Sequence, residues 1–353
     1  MAQQHLDPTE STAGVVTGDA LAVYLRTQAT EFLRALRMHR ETGTSGGGAE
    51  ESVDAARALR RSARRISGSL HTFRPLLDAD WSEEMRPELA WLSGTLGLEH
   101  AYEARLERLL LALHRLSGSS PFPAQQVSAG ASAPGPGPSA QERGNLTVGA
   151  AKAGALLDRQ LTLARTRAHS TALQALGSSR FHAVADKVAV LASEVPLTTA
   201  GVSTDLRPAA GAAEERLLDA IAALPLITAG HPYNAEALVH GLSPDPAPHP
   251  QDGPWHQVRL LLRLHRYARE ALSGGGLGVP SADPRMLAAG RALDRHRDAA
   301  EAAGAAAQAA RTPRIAPATA YALGVLHADQ RHEVEAARFE FQQSWQKQTV
   351  SAP

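Results

Sequence analysis

The chain has 353 residues, and its 36 lysines and arginines equal its 36 aspartates and glutamates, so the formal net charge is zero. This balance argues against a generally basic nucleic-acid binder, and any site for a large anion must come from local clustering of arginines. The absence of cysteine excludes disulfides and thiolate metal sites, and the 4% content of aromatic residues favours a helical protein with an aliphatic core.

The start of the chain is polar, and residues 1–17 are predicted to form a disordered tail. This segment lacks a cationic region followed by an apolar run, so no secretory signal is predicted. The longest aliphatic run, Leu109 to Leu113, is far too short to span a membrane. We therefore expect a cytoplasmic protein that has no membrane partner.

Residues 18–116 are predicted to form a first helical bundle. Apolar residues recur at helical spacing in residues 20–39, 54–74, 81–96 and 98–116, and a glycine-rich break at residues 43–51 separates the first two segments. Four amphipathic helices joined by short connections favour an antiparallel arrangement.

The second of these helices has two unlike faces. Winding it at about 100° per residue gathers an apolar stripe that consists of Leu59, Ala63, Ile66, Leu70 and Phe73. The opposite side carries arginines, and no acidic residue lies between Arg57 and Arg74. A solvated helix surface usually mixes charges, so this face predicts an anion-binding site. Its candidate residues are Arg57, Arg60, Arg61, Arg64, Arg65 and Arg74.

The middle and the second half of the chain differ in composition. Residues 117–144 are rich in proline, glycine, serine and alanine and are predicted to be a disordered linker. Residues 145–348 are predicted to form a second helical bundle, with a proline-rich loop at residues 231–254. Its helical segments are residues 150–175, 181–193, 214–224, 255–272, 285–310 and 317–348.

The helix predicted at residues 255–272 repeats the basic pattern of the first half. Its basic residues recur at i, i+3, i+7 and i+10, on one helix face, and they are His256, Arg259, Arg263 and Arg266. The same i, i+3, i+7 spacing relates Arg57, Arg60 and Arg64. The repeat predicts an all-α fold of two antiparallel four-helix bundle units with pseudo-two-fold similarity, each contributing one basic helix.

Several segments of the sequence resemble one known family. The second basic helix contains WHQVRLLLRLHRY, the first is followed by FRPL, and LDRHRDA surrounds His296. Residues 165–184 read RTRAHSTALQALGSSRFHAV, and YALGVLHADQ lies near the end of the chain. These segments are similar to those of the CHAD domain, the conserved histidine α-helical domain, whose helices contain L-H-x-L-R-x-x-x-K-x-L-R-Y and L-G-x-H-Q-D. The resemblance spans residues 18–346.

The first half departs from the family pattern. Arg57 stands where the family has its histidine, and Ser67 and Gly68 stand where further basic residues often occur. His100 and Ala101 fall in the place of a charged R-D-x-D segment. We therefore expect the second half to bind an anion more strongly than the first.

The resemblance implies a non-catalytic, all-helical module that binds inorganic polyphosphate, and association with polyphosphate granules is a further expectation. It also implies candidate binding residues outside the two basic helices, which are Arg165, Arg167 and His296. The alternative is a scaffold or interaction protein that keeps the fold but has weak or no affinity for polyphosphate.

Enzyme and metal-site signatures are missing from the sequence. It contains no GxxxxGK[ST], GxSxG or HExxH motif, and its histidines do not form a metal-ligand set. No catalytic residue, metal or cofactor is therefore predicted. A nucleic-acid binder is a third hypothesis, but the arginines have no aromatic residues among them on which bases could stack.

Overall fold

The structure of the protein is a computed structural model that describes residues 16–44, 49–118, 140–226, 228–234, 242, 249–273 and 283–346. These residues are overwhelmingly helical, and the β-type pairing within them is one isolated antiparallel bridge between Leu77 and Leu197. The predicted all-α class is confirmed. Across the described ranges, no helix combines the length and the apolar character that crossing a lipid bilayer requires.

The α-helices follow the predicted order along the chain. They are α1 (Gly18–Thr44), α2 (Ala49–Thr72), α3 (Ala79–Thr95), α4 (Leu98–Leu116), α5 (Ala140–Leu176), α6 (Ser179–Ser193), α7 (Thr199–Ser203), α8 (Arg207–Ala222), α9 (Gly253–Leu272), α10 (Pro284–Ala310) and α11 (Pro317–Gln346). Short 3₁₀ turns occur at Arg74–Leu76, Thr228–Gly230 and Pro250–Asp252.

Two boundaries differ from the sequence-based prediction. Helix α5 begins at Ala140, inside the predicted 117–144 linker, because the proline-rich run ends at Pro138 and nothing after it interrupts a helix. Helix α8 begins at Arg207 rather than at residue 214, since Pro208 lies in its first turn, where proline favours the start of a helix. Outside the described residues lie most of the predicted tail, residues 119–139 of the linker, most of the 231–254 loop and residues 347–348.

The buried apolar residues of the described ranges form three main clusters. The first joins α1, α2, α3 and α6, and the C-terminal end of α9 packs into it through Ala268 and Ala271. The second lies among α8, α9, α10 and the end of α11, around Trp255 and Phe341. The third joins α4, α5, α10 and α11. Apolar contacts therefore cross the predicted boundary between the halves, and the arrangement as two four-helix units stays a prediction.

Helix α9 packs into both the first and the second cluster, and its arginines lie on the face that does not pack into them. Its apolar residues Val258 and Ala268 are fully buried in different clusters, so both ends of the helix are anchored. The alternation of apolar and basic residues at helical spacing then leaves the basic face away from the core.

Helices α2 and α9 approach each other closely where Gly68 meets Tyr267. A Cβ atom added to Gly68 would lie 2.6 Å from Cδ2 of Tyr267 and 3.2 Å from Cδ2 of Leu264. The distance between packed helices depends on the side chains at the contact, so this crossing requires the smallest residue. Gly68, which marks a missing basic residue in the family pattern, thus has a packing role that brings two arginine-bearing helices side by side.

We expect Gly68→Ala to lower the free energy of unfolding by about 1–3 kcal/mol, the usual cost of overpacking a core. Chemical denaturation followed by circular dichroism measures the change. Gly211→Ala in α8 is the matched control, since no atom lies within 4 Å of its added Cβ. This control should leave stability unchanged or raise it by up to about 1 kcal/mol. Equal stabilities of the two variants would contradict the close crossing.

Candidate functional site

A groove of about 820 Å³ lies along α9, which packs against both α2 and α10. Helix α2 forms one wall, α10 forms the other, and His100 of α4 also lines the groove. Arginines outnumber carboxylates in its lining. The arginines are Arg57, Arg60, Arg61, Arg64, Arg259, Arg263, Arg266, Arg269 and Arg291, and the carboxylates are Glu270, Asp283 and Asp294.

The groove brings together the two basic helix faces that the sequence predicts. From α2 come Arg57, Arg60, Arg61 and Arg64, and from α9 come Arg259, Arg263 and Arg266. Sequence reasoning missed Arg269 and Arg291. Arg269 lies three residues after Arg266, so helical spacing places it next to the predicted row, whereas nothing in the local pattern around Arg291 distinguishes it from a surface arginine.

The arginines in the middle of the groove are crowded. Burial, followed by the charge of Arg60, lowers the pKa of the Arg64 guanidinium to about 10. Burial, followed by the charges of Arg259 and Arg64, lowers the pKa of Arg263 to about 10. Burial and like charges, Arg297 first, also lower the pKa of Arg60. These groups stay charged at neutral pH and repel one another, so an anion between them would be stabilising.

Arg60 is held at the junction of α3 and α4. Its Nε donates to the carbonyl oxygen of Ser93 at 3.2 Å. Its guanidinium lies against Gly97, where a Cβ atom would come within 2.5 Å of Cζ. The absence of a side chain at Gly97 therefore creates the space that Arg60 occupies.

The arginines differ in whether a carboxylate already neutralises them. Arg259 Nε donates to Oδ1 of Asp294 at 2.6 Å. Arg60, Arg64 and Arg263 form no ion pair with any described carboxylate. An incoming anion meets no competing carboxylate at these three side chains, which makes them the strongest candidates for binding one.

Four predicted binding arginines do not line the groove. Arg65 Nε donates to Oε2 of Glu270 at 2.8 Å, and the Tyr24 hydroxyl donates to the same oxygen at 3.0 Å. Arg74 pairs with Glu83 at 2.9 Å and Arg165 with Glu103 at 3.2 Å. The fourth, Arg167, is exposed on α5. The helical pattern could not distinguish Arg65 and Arg165 from the groove arginines, because their carboxylate partners lie 205 and 62 residues away in sequence.

The two predicted binding histidines also lie outside the groove lining. His296 is 1% exposed, stacks on Trp255 with a ring-centroid distance of 5.6 Å, and accepts a hydrogen bond from Nε of Arg338 at 3.3 Å. Burial, followed by the charge of Arg338, holds the pKa of His296 well below its ordinary value. His256 contacts the His296 ring edge-on, and burial lowers its pKa as well. The histidines that do line the groove are His100 and His265.

A buried charge network fixes the start of α9 against α11. Asp252 accepts hydrogen bonds from Nη1 of Arg331 at 2.8 Å and from Nη2 of Arg338 at 2.7 Å. Burial raises the pKa of Asp252, but the hydrogen bond and charge of Arg331, together with the charge of Arg338, outweigh it and keep the pKa below its ordinary value. The described residues contain no group of three or more histidines, aspartates or glutamates that could hold a metal ion.

We expect the stability of the protein to fall as the pH is lowered from 7 to 5. Burial lowers the pKa values of His256, His265 and His296 in the folded state. The unfolded chain therefore binds more protons below about pH 6.5, which favours unfolding. Melting temperatures across this range measure the effect, and His296→Phe, which keeps a ring against Trp255, should flatten the dependence. A melting temperature that is independent of pH would contradict neutral buried histidines.

Comparisons with known proteins show what this chain is similar to. The family model described as CHAD domain matches residues 27–307. The solved structure of PptA from Streptomyces chartreusis is 70% identical, with 94% of this chain and 99% of that chain covered and a TM-score of 0.76. The CHAD domain from the plant Ricinus communis is 15% identical, with coverages of 95% and 97% and a TM-score of 0.46. A comparison with curated proteins found no match.

Proposed function

This chain belongs to the CHAD domain family, and from that premise we propose that it is a non-catalytic module whose groove binds inorganic polyphosphate. The family is associated with polyphosphate binding. The observation that carries the proposal is that unpaired arginines of α2 and α9 face one another in a single groove.

The chemistry of the groove suits a chain of phosphates. Guanidinium groups make charge-assisted, bidentate hydrogen bonds to phosphate oxygens and are more weakly hydrated than ammonium groups. Arg64 and Arg263 interact across the groove, so a phosphate between them would contact both basic helices. The volume of about 820 Å³ falls in the range of about 300–1,000 Å³ that is typical of ligand pockets. Several phosphate groups fit such a space.

The same residues argue against nucleic acid as the ligand. Among the described groove residues, Tyr267 is the one phenylalanine, tyrosine or tryptophan, and it is 4% exposed. The guanidiniums of Arg65 and Arg266 lie near its ring, at 5.9 and 5.5 Å from the centroid. A buried ring that arginines already approach offers no face for base stacking along a single strand.

The proposal has a consequence for the location of the protein. A module that binds polyphosphate would accumulate where the polymer is stored, so we propose association with polyphosphate granules. The partner in this proposal is the polymer itself, and the proposal includes neither a membrane nor a nucleic acid. The alternative is a scaffold protein of the same fold with little affinity for polyphosphate.

We expect Arg60→Ala with Arg64→Ala to reduce polyphosphate affinity at least as much as Arg259→Ala with Arg263→Ala. Arg60 and Arg64 have no carboxylate partner among the described residues, whereas Arg259 must leave Asp294 to bind an anion. The sequence pattern predicts the larger loss for the Arg259 and Arg263 pair, because the second half keeps the family histidine at His256. Each pair should cost about 2–4 kcal/mol if the ligand desolvates these side chains. Calorimetric titrations at two salt concentrations measure affinity and its salt dependence.

Arg74→Ala with Arg167→Ala is the control for this experiment. It removes the same charge from sites outside the groove, so affinity should stay near that of the parent protein. Circular dichroism confirms that each variant keeps its helix content. If both groove variants bind polyphosphate like the parent, the basic helices are a solvated surface and the scaffold alternative holds. Equally tight binding of RNA would instead favour a nucleic-acid binder.

A second prediction concerns the position of Arg60. We expect Gly97→Ala to displace the Arg60 guanidinium and to weaken polyphosphate binding by about three- to tenfold, which corresponds to about 0.7–1.4 kcal/mol. Gly94→Ala is the matched control, because its added Cβ has no atom within 4 Å. In a double-mutant cycle, Gly97→Ala should have little effect once Arg60 is alanine. Additive losses would show that Gly97 acts independently of Arg60.

A further inference from the structure

The α10 wall of the groove has a composition that phosphate binding does not explain. Helix α2 lines the groove with arginines alone, whereas α10 and its capping residue Asp283 line it with Met286, Leu287 and Gly290 together with Arg291 and Asp294. Methionine and leucine side chains do not contribute favourable contacts to a bare phosphate chain, and carboxylates repel it. This wall therefore suits a different part of a ligand.

Helix α9 presents two parallel rows of side chains to the groove. Arg259, Arg263 and Arg266 form one row, and the pKa of Arg263 responds to Arg64 of α2. Leu262, His265 and Arg269 form the other row at i, i+3 and i+7. This second row faces α10, since a Cβ atom at Gly290 would lie 3.7 Å from Cδ2 of Leu262. The two rows thus lie side by side between Arg259 and Arg269. We call the surface formed by Leu262, His265, Met286 and Leu287 the apolar side of the groove.

His265 is a buried polar group without a partner on the apolar side. It is 3% exposed, it lines the groove, and neither ring nitrogen has a hydrogen-bond partner among the described residues. Charged residues near it are Glu214, Arg269 and Asp283. Buried polar side-chain atoms are normally hydrogen-bonded, so this imidazole is available to a ligand.

We propose that Leu262, His265, Met286 and Leu287 bind the base of a nucleoside polyphosphate whose phosphates lie along the arginine row. A nucleobase has apolar faces, which suit leucine and methionine, and a polar edge, which suits an imidazole that can donate and accept. The inference rests on the proposed function, because the same arginines hold phosphates in both cases. It adds a second class of ligand that would compete with polyphosphate for the groove.

The first experiment compares ATP with inorganic triphosphate by calorimetric titration of the full chain at one pH and salt concentration. Inorganic triphosphate carries at least as much negative charge, so arginines alone would bind it as tightly as ATP or more tightly. Burial of the base against the apolar side should instead make ATP bind about five- to tenfold more tightly than triphosphate. ATP affinity no greater than that of triphosphate would overturn the inference.

The second experiment uses variants of the apolar side. Leu287→Gln and His265→Phe should each reduce the preference for ATP over triphosphate by about threefold or more, with triphosphate affinity unchanged. Leu260→Gln is the matched control, because Leu260 is 45% exposed, Leu287 is 41% exposed, and Leu260 does not line the groove. A preference that stays at the parent value in both variants would overturn the inference.

The two proposals fail in different ways. A parent protein that binds long-chain polyphosphate but shows no preference for ATP would overturn only the nucleoside site. A parent protein that binds neither polyphosphate nor triphosphate would overturn the proposed function and this inference together. Competition between ATP and polyphosphate for one site would support both.

Discussion

Repulsion among the guanidinium groups of α2 and α9 is the constraint that the rest of the structure must offset. Arg60, Arg64 and Arg263 are partly buried near one another without a carboxylate partner in the described residues, and their pKa values are lowered as a result. Such an arrangement opposes folding, so its stability comes from elsewhere. The anchoring of α9 in two apolar clusters and the tight contact of Gly68 with Tyr267 hold the two basic helices together despite their charge.

The buried and partly buried arginines of the described residues fall into two groups, those that pair with carboxylates and those that do not. Arg331 and Arg338 meet Asp252 at hydrogen-bonding distance, and Arg338 also donates to Glu335. Breaking any of these ion pairs would leave an uncompensated buried charge, which is strongly destabilising. The network therefore holds the start of α9 firmly against α11. In the groove, Arg60, Arg64 and Arg263 have no such carboxylate partner among the described residues. Their positive charge is not neutralised by the protein, and a bound anion would supply the missing negative charge.

The wall of the groove that α10 forms is supported by alanines, which have no functional group that a sequence motif could identify. Eight alanines of α10 are buried, and α10 packs along α11 over much of its length. Small side chains allow this close approach, so α10 is held as a firm wall. The same helix places Met286 and Leu287 in the groove and Leu293 in the second cluster. One helix therefore contributes both to the core and to the wall of the groove.

Helical periodicity is local, and for that reason the sequence by itself determined the all-α class, the order of the helices and the two arginine rows. It did not determine which arginines are free. Arg64 and Arg65 are neighbours on one helix, but Arg65 is neutralised by Glu270, which lies 205 residues away in sequence. The burial of His296 against Trp255 and the packing role of Gly68 likewise depend on distant residues. Ion pairing, burial and close contact are properties of residue pairs brought together by folding, so only the tertiary structure decided which predicted residues share the groove.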